Sequence, residues 1–176
     1  VGRGIESKVF KNSKGLPTRR CLFNTHRAKK TGERVVIVES SMDAMRIHQA
    51  GYPYVVATNG SIFSDAHVQT IARYWNEIII MTDQDSPDEH RNVNCKKCEN
   101  TCLGHVPGRA LGEKMAKALI GKRILWASYD YGIMFPNGAK DAGDMTIEEI
   151  GKCIDNAISD VEYTFWKSEF PELSIV

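Results

Sequence analysis

The chain has 176 residues, 42% apolar and 26% charged, which is ordinary for a soluble globular protein and fits one domain. Its formal net charge of +1 conceals a balance of +8 over residues 1–34 and −7 over residues 141–176, so a basic end suited to phosphates faces an acidic end suited to solvent or a partner. No apolar run approaches the roughly 18 residues of a membrane-spanning helix, and the opening VGRGIESKVF lacks the apolar core of a signal peptide; a cytoplasmic protein with no membrane partner is expected. The chain opens on Val1 rather than Met, as a fragment or a processed product would.

Residues 1–33 are basic and rich in Gly and Lys, and read as a short irregular β arm. RVVIVE (34–39) is a β-branched run suited to a strand buried on both faces. SMDAMRIHQAG (41–51) has helical spacing and ends on Gly51. YVVAT (54–58) is a second strand, closed by the turn signal Asn59-Gly60. A helix over 64–75 with Ser64 or Asp65 as its cap leads to the third and most apolar strand, EIIIMTD (77–83). A polar insertion (86–109) precedes a helix over 110–121 and a fourth strand, RILWASY (123–129). A last helix is expected over 146–159, with Thr146 and Glu149 spaced as a capping box. Alternating strands and helices predict an α/β fold, a parallel sheet with helices on both faces. The expected divisions are a basic arm (1–33), a catalytic domain (34–160) and a C-terminal tail (161–176).

The acids fall in a telling pattern. Glu39 ends the first strand and Asp43 lies one helical turn on; Asp83 and Asp85 end the third; Asp141 and Asp144 sit in the loop NGAKDAGDM after the fourth. In a doubly wound sheet these places share one edge, where ligand sites gather. Carboxylates held close raise one another's pKa unless cations neutralise them. Hard oxygen donors suit Mg²⁺ or Mn²⁺. Asp144 also suits a plain helix-cap role, whereas a charge directly after Val-Val-Ile-Val has little structural reason to be there.

Cys95, Cys98, Cys102 and His105 follow a Cys-x2-Cys-x3-Cys-x2-His spacing within the insertion, with His90 nearby. In a reducing compartment such a set reads as a structural Zn²⁺ site that could order a polar segment lacking a core of its own. Cys21 and Cys153 read instead as small buried apolar residues. His48 and His67 read as surface or packing residues, and Trp75, Trp126 and Trp166 as core or rim.

These motifs resemble the TOPRIM domain of DnaG-type primases, closest in style to phage-encoded ones. VVIVESSMDAMRIHQAGYPYVVATNGS is similar to the motif in which a strand delivers a Glu and the next helix an Asp; IIIMTDQD is similar to the Asp-x-Asp motif, and GAKDAGDM to the later acidic loop. Upstream, GLPTRRCLFNTHRAK resembles the segment whose basic residues line the template path, which implies nucleic-acid binding by Arg19, Arg20, Arg27, Lys29 and Lys30. The resemblance spans roughly residues 15–150. It implies catalysis by Glu39, Asp83 and Asp85, with Mg²⁺ held by Glu39, Asp43, Asp83, Asp85 and Asp141. Three departures stand out. Ser40 replaces the usual Gly after the Glu, no Gly follows the Asp-x-Asp at its usual distance, and 176 residues leave no room for separate zinc-binding and helicase domains.

The function implied is primer synthesis from nucleoside triphosphates on single-stranded DNA in a bacterial cytoplasm, with a replicative helicase or other primase domains as partners. The alternatives are a metal-dependent TOPRIM nuclease and a non-catalytic accessory protein of a replication complex.

Overall fold

A computed structural model describes residues 12–84, 107–130 and 135–169. Four strands pair in parallel: β1 (Arg34–Val38), β2 (Val55–Ala57), β3 (Glu77–Ile80) and β4 (Arg123–Trp126). A two-residue strand, β5 (Ile158–Ser159), adds antiparallel to β4, and the sheet order is β2-β1-β3-β4-β5.

Alternate strand residues feed two separate cores. Val35, Ile37, Ile78, Ile80 and Trp126 meet α3 (Asp65–Tyr74), α4 (Pro107–Ala118) and α6 (Asp160–Glu169) through Ile71, Leu111, Met115 and Tyr163. Val36, Val38, Ile79 and Leu125 meet α2 (Ser41–Gln49) and α5 (Ile147–Asp155) through Ala44, Ile47, Ile150 and Ile154. A strand covered on both sides has no polar face to present, hence the unbroken runs VVIV and EIII. Each fully buried Ile or Val among them contributes about 1.5–3 kcal/mol.

The helix starts are written in local chemistry. Ser40, the residue that replaces the usual Gly, caps α2: its hydroxyl accepts from the Asp43 N–H at 3.1 Å. Ser64 caps α3, with the His67 ring in the return role that Glu usually fills. Thr146 and Glu149 form the expected capping box on α5.

Five expectations are corrected. The helix expected over 146–159 stops at Asp155, and the segment expected as a tail contains α6, which packs on the sheet by stacking Tyr163 on Trp126 at 3.8 Å and 9°. A third capping box starts it: the Ser159 hydroxyl accepts from the Glu162 N–H at 3.3 Å, and the Glu162 carboxylate accepts from the Ser159 N–H at 2.7 Å. Over residues 12–33 the arm holds no β-strand. Among its described residues it has one bridge, Phe23 to Ala57, and a single-turn helix, α1 (Thr25–Ala28). Helix α4 begins at Pro107, inside the expected insertion. Cys21 is exposed, because it lies in that arm, while Cys153 is buried as expected.

Candidate metal centre at the carboxyl ends of the strands

The order β2-β1-β3-β4 turns the chain in opposite directions from its two central strands. β1 leads through α2 to β2 on one side, and β3 leads through α4 to β4 on the other. The covering helices lie on opposite faces, so a crevice opens beyond the carboxyl ends of β1 and β3. Glu39 directly follows β1, and Asp83 lies three residues beyond β3. The Asp83 N–H donates to Glu39 Oε1 at 3.3 Å, so these two predicted site residues meet at the switch point.

A second acid pair lies beside the first. Asp43, in the first turn of α2, accepts from the Ser40 hydroxyl at 2.5 Å and from the Gly143 N–H at 3.2 Å. The same Gly143 N–H donates to Asp141 Oδ1 at 2.8 Å, so one backbone donor serves two carboxylates. Asp43 is 4% exposed. Burial raises its carboxyl above the ordinary range, the Ser40 hydrogen bond opposes this, and the neighbouring Asp141 charge adds to the rise. Asp144 has the turn role its position suggested, accepting from the Lys140 N–H at 3.0 Å.

Hydrogen bonds join the strand end to this acidic loop. The Gln84 N–H donates to the Lys140 carbonyl at 2.7 Å, and the Gly60 N–H donates to the Glu39 carbonyl at 3.2 Å. On the far side, α4 presses its first turn on β3's end: a Cβ on Gly108 would overlap the Asp83 carbonyl oxygen and lie 2.9 Å from the carbon behind it. Gly108, inside the segment expected as an insertion, is thus what allows the helix to approach the strand end this closely. Its signal is the Pro-Gly at the head of the next helical run.

Asp85, Cys95, Cys98, Cys102 and His105 lie outside the described residues. Among the described residues no three His, Cys, Asp or Glu side chains converge as a complete metal cage. What the structure brings together is the Glu39 carboxylate with the Asp83 backbone, and the carboxylates of Asp43 and Asp141.

The basic arm is clasped to the same end of the sheet by neutral groups. The Ser64 hydroxyl donates to the Arg19 carbonyl at 2.6 Å, His67 Nε2 meets the Thr18 carbonyl at 2.7 Å, and the Asn12 amide donates to the Asn59 carbonyl at 2.8 Å. Arg19, Arg20, Arg27, Lys29 and Lys30 are all exposed, and the Lys29 ammonium lies 5.5 Å from the centre of the Tyr74 ring. His67, fully buried, does more than pack: it is the clasp.

Residues 33–91 match the family described as the Toprim domain. The chain carries a Toprim domain. Over 70 residues it is 34% identical to a DNA primase of Staphylococcus aureus (strain COL), and over 83 residues 30% identical to one of Clostridium acetobutylicum. These stretches cover 38% and 46% of this chain but only 12% and 13% of those proteins, so the Toprim-bearing chain spans a small part of the primases it matches. A solved DnaG primase catalytic domain bound to single-stranded DNA superposes with a TM-score of 0.64 at 19% identity, covering 96% of this chain and 49% of that one. That likeness extends the shared α/β fold over nearly the whole chain. No described helix is long and apolar enough to cross a membrane.

Proposed function

We propose that this Toprim chain is the metal-binding core of a primase-type nucleotidyl transferase, which joins nucleoside triphosphates into RNA primers on single-stranded DNA. One observation carries the reading: the Glu39 carboxylate accepts from the Asp83 backbone N–H at 3.3 Å at the switch point of the sheet. The relatedness to primases supports the choice of chemistry.

The donors fit a hard divalent cation. All are carboxylates, and the Asp43 carboxyl is raised first by burial and further by the Asp141 charge, a cost that a cation relieves. Glu39, Asp83 and Asp85, with Asp43 and Asp141, would hold Mg²⁺ or Mn²⁺. When bound, such an ion would polarise the phosphoryl oxygens and neutralise the charge that develops on them. Glu39, at the strand end, would also accept the proton of the attacking 3′-hydroxyl. Arg19, Arg20, Arg27, Lys29 and Lys30 would bind template phosphates and set its path toward the acids. Cys95, Cys98, Cys102 and His105 would hold one structural Zn²⁺, apart from the catalytic ion.

Labelled nucleotides, single-stranded DNA and Mg²⁺ or Mn²⁺ test the reading directly. Primer products that vanish in Glu39→Gln support it. Cleaved template would make the chain a nuclease, and neither product would make it an accessory protein. Metal analysis after purification without chelator is expected to give about one zinc per chain, lost in Cys98→Ser; zinc-free protein with freely reacting thiols would remove the zinc site.

A further inference from the structure

We propose that Arg109 is a positioning residue for the carboxylate site and acts through Gln84; the inference rests on the metal-site reading above. Arg109 is the third residue of α4 and only 5% exposed. Its Nη2 donates to Gln84 Oε1 at 3.4 Å, its guanidinium carbon lies 5.5 Å from the centre of the Trp166 ring, and its buried Nη1 has no hydrogen-bond acceptor among the described residues. Glu113, one turn further along α4, is already taken by the Tyr163 hydroxyl at 3.0 Å and the Lys167 ammonium at 2.6 Å. Burial presses the Arg109 guanidinium below its ordinary pKa, yet an arginine does not lose its proton in a protein. A buried cation with an idle donor weakens the fold compared with an apolar side chain of similar size. Among the described residues, then, stability does not account for Arg109.

The geometry of Gln84 does. Gln84 is the central residue of Asp83-Gln84-Asp85, and its backbone N–H is already bonded to the Lys140 carbonyl beside Asp141. Arg109 grips its side chain from the opposite side. Gln84 is thus held between α4 and the acidic loop, and the backbone that carries Asp83 is held with it. Residues that orient metal ligands in this way typically change metal affinity when replaced, by roughly 10–100-fold.

The test is Mn²⁺ affinity, by isothermal titration and by electron paramagnetic resonance of free Mn²⁺, beside the thermal midpoint. It compares wild type, Arg109→Met, Gln84→Met and the double variant. Arg109→Met is expected to melt at or above wild type while binding Mn²⁺ about tenfold more weakly. Gln84→Met is expected to show the same loss, and the double variant no greater loss than either single one, because both changes break one link. Three results overturn the proposal: Mn²⁺ affinity in Arg109→Met within about twofold of wild type, a lowered midpoint accompanying its loss of affinity, or losses that multiply in the double variant. Wild-type protein that binds no Mn²⁺ removes the metal-site reading and this inference with it. Wild-type binding that Arg109→Met leaves unchanged removes the inference alone.

Discussion

The two ends of the sheet treat charge in opposite ways. At the amino end, Glu77 sits between two arginines from neighbouring strands, bonded to Arg34 and, at 2.8 Å, to Arg123. Opposite charges meet there, and the end is closed. At the carboxyl end, Asp43 and Asp141 share one backbone N–H, while the nearby basic arm is fastened by a serine, an asparagine and a histidine rather than through its own charges. Arg19, Arg20, Arg27, Lys29 and Lys30 make no ion pair among the described residues. Charges matched inside the protein serve the fold, whereas like charges gathered at one end leave work for a ligand of opposite sign.

The largest effect expected at the carboxyl end comes from Gly108→Ala. The added carbon would meet backbone, which cannot swing aside, so overpacking of about 3 kcal/mol is expected. For a domain of this size that lowers the melting temperature by roughly 6–12 °C. A wild-type midpoint would mean that α4 and β3 do not abut as described.

A smaller pair of effects sharpens the contrast through opposite signs. Glu77→Gln leaves two arginines facing each other and should cost about 1 kcal/mol in urea unfolding, shrinking as salt is added. Asp43→Asn keeps its oxygen for the Gly143 N–H, reverses the Ser40 bond so that the amide donates to that hydroxyl, removes a crowded charge, and should hold or raise the midpoint at pH 7 while weakening Mn²⁺ binding. If both variants lose stability alike, the two ends do not differ in the way described.

The histidine clasp adds a pH dependence. Burial lowers the pKa of His67, against the pull of the Thr18 and Cys21 carbonyls. The unfolded chain therefore takes up its proton first, near pH 6.5, while the native ring stays neutral. Stability from this group is complete above about pH 6.5 and falls as the pH drops from there toward the lowered native value. Melting curves between pH 7.5 and 5 should show this slope, and His67→Gln should flatten it. The smallest effect is electrostatic: replacing Arg19, Arg20 and Arg27 with Ala should flatten the salt dependence of single-strand binding by about 0.7 in log–log slope for each phosphate no longer neutralised. An unchanged slope would free the arm from any part in binding.

The legibility of the molecule in its sequence follows chain distance. Runs such as VVIV and EIII announce buried parallel strands, because both of their faces must be apolar. Ser64, Thr146 and Ser159 announce helix starts, because a cap spans only three residues; the box at Ser159 and Glu162 is as plain as the one at Thr146, although the polar composition after it suggests a tail. β5 is not readable, since two residues carry no periodicity. The acids at the strand ends can be grouped from topology alone, and Glu39 does meet Asp83. Their division into two pairs cannot, because it depends on Gly143, a hundred residues beyond Asp43. Nor can the meeting of Asp83 with Gly108, which joins two sides of an insertion.

That last meeting has a consequence for how such a chain can vary. Because the backbone leaves the sheet at Asp83 and returns to touch it at Gly108, the stretch between begins and ends at nearly one place. Closing a loop costs only about 0.6 kcal/mol more for each doubling of its length. The junction therefore behaves as a socket: its two rims are fixed by the sheet and α4, and the length of what is plugged in hardly affects them. A lineage could enlarge or trade the residues beyond Asp85 with little strain on the strands beneath. An engineer could use the same socket to seat a reporter beside the acids without rebuilding the frame.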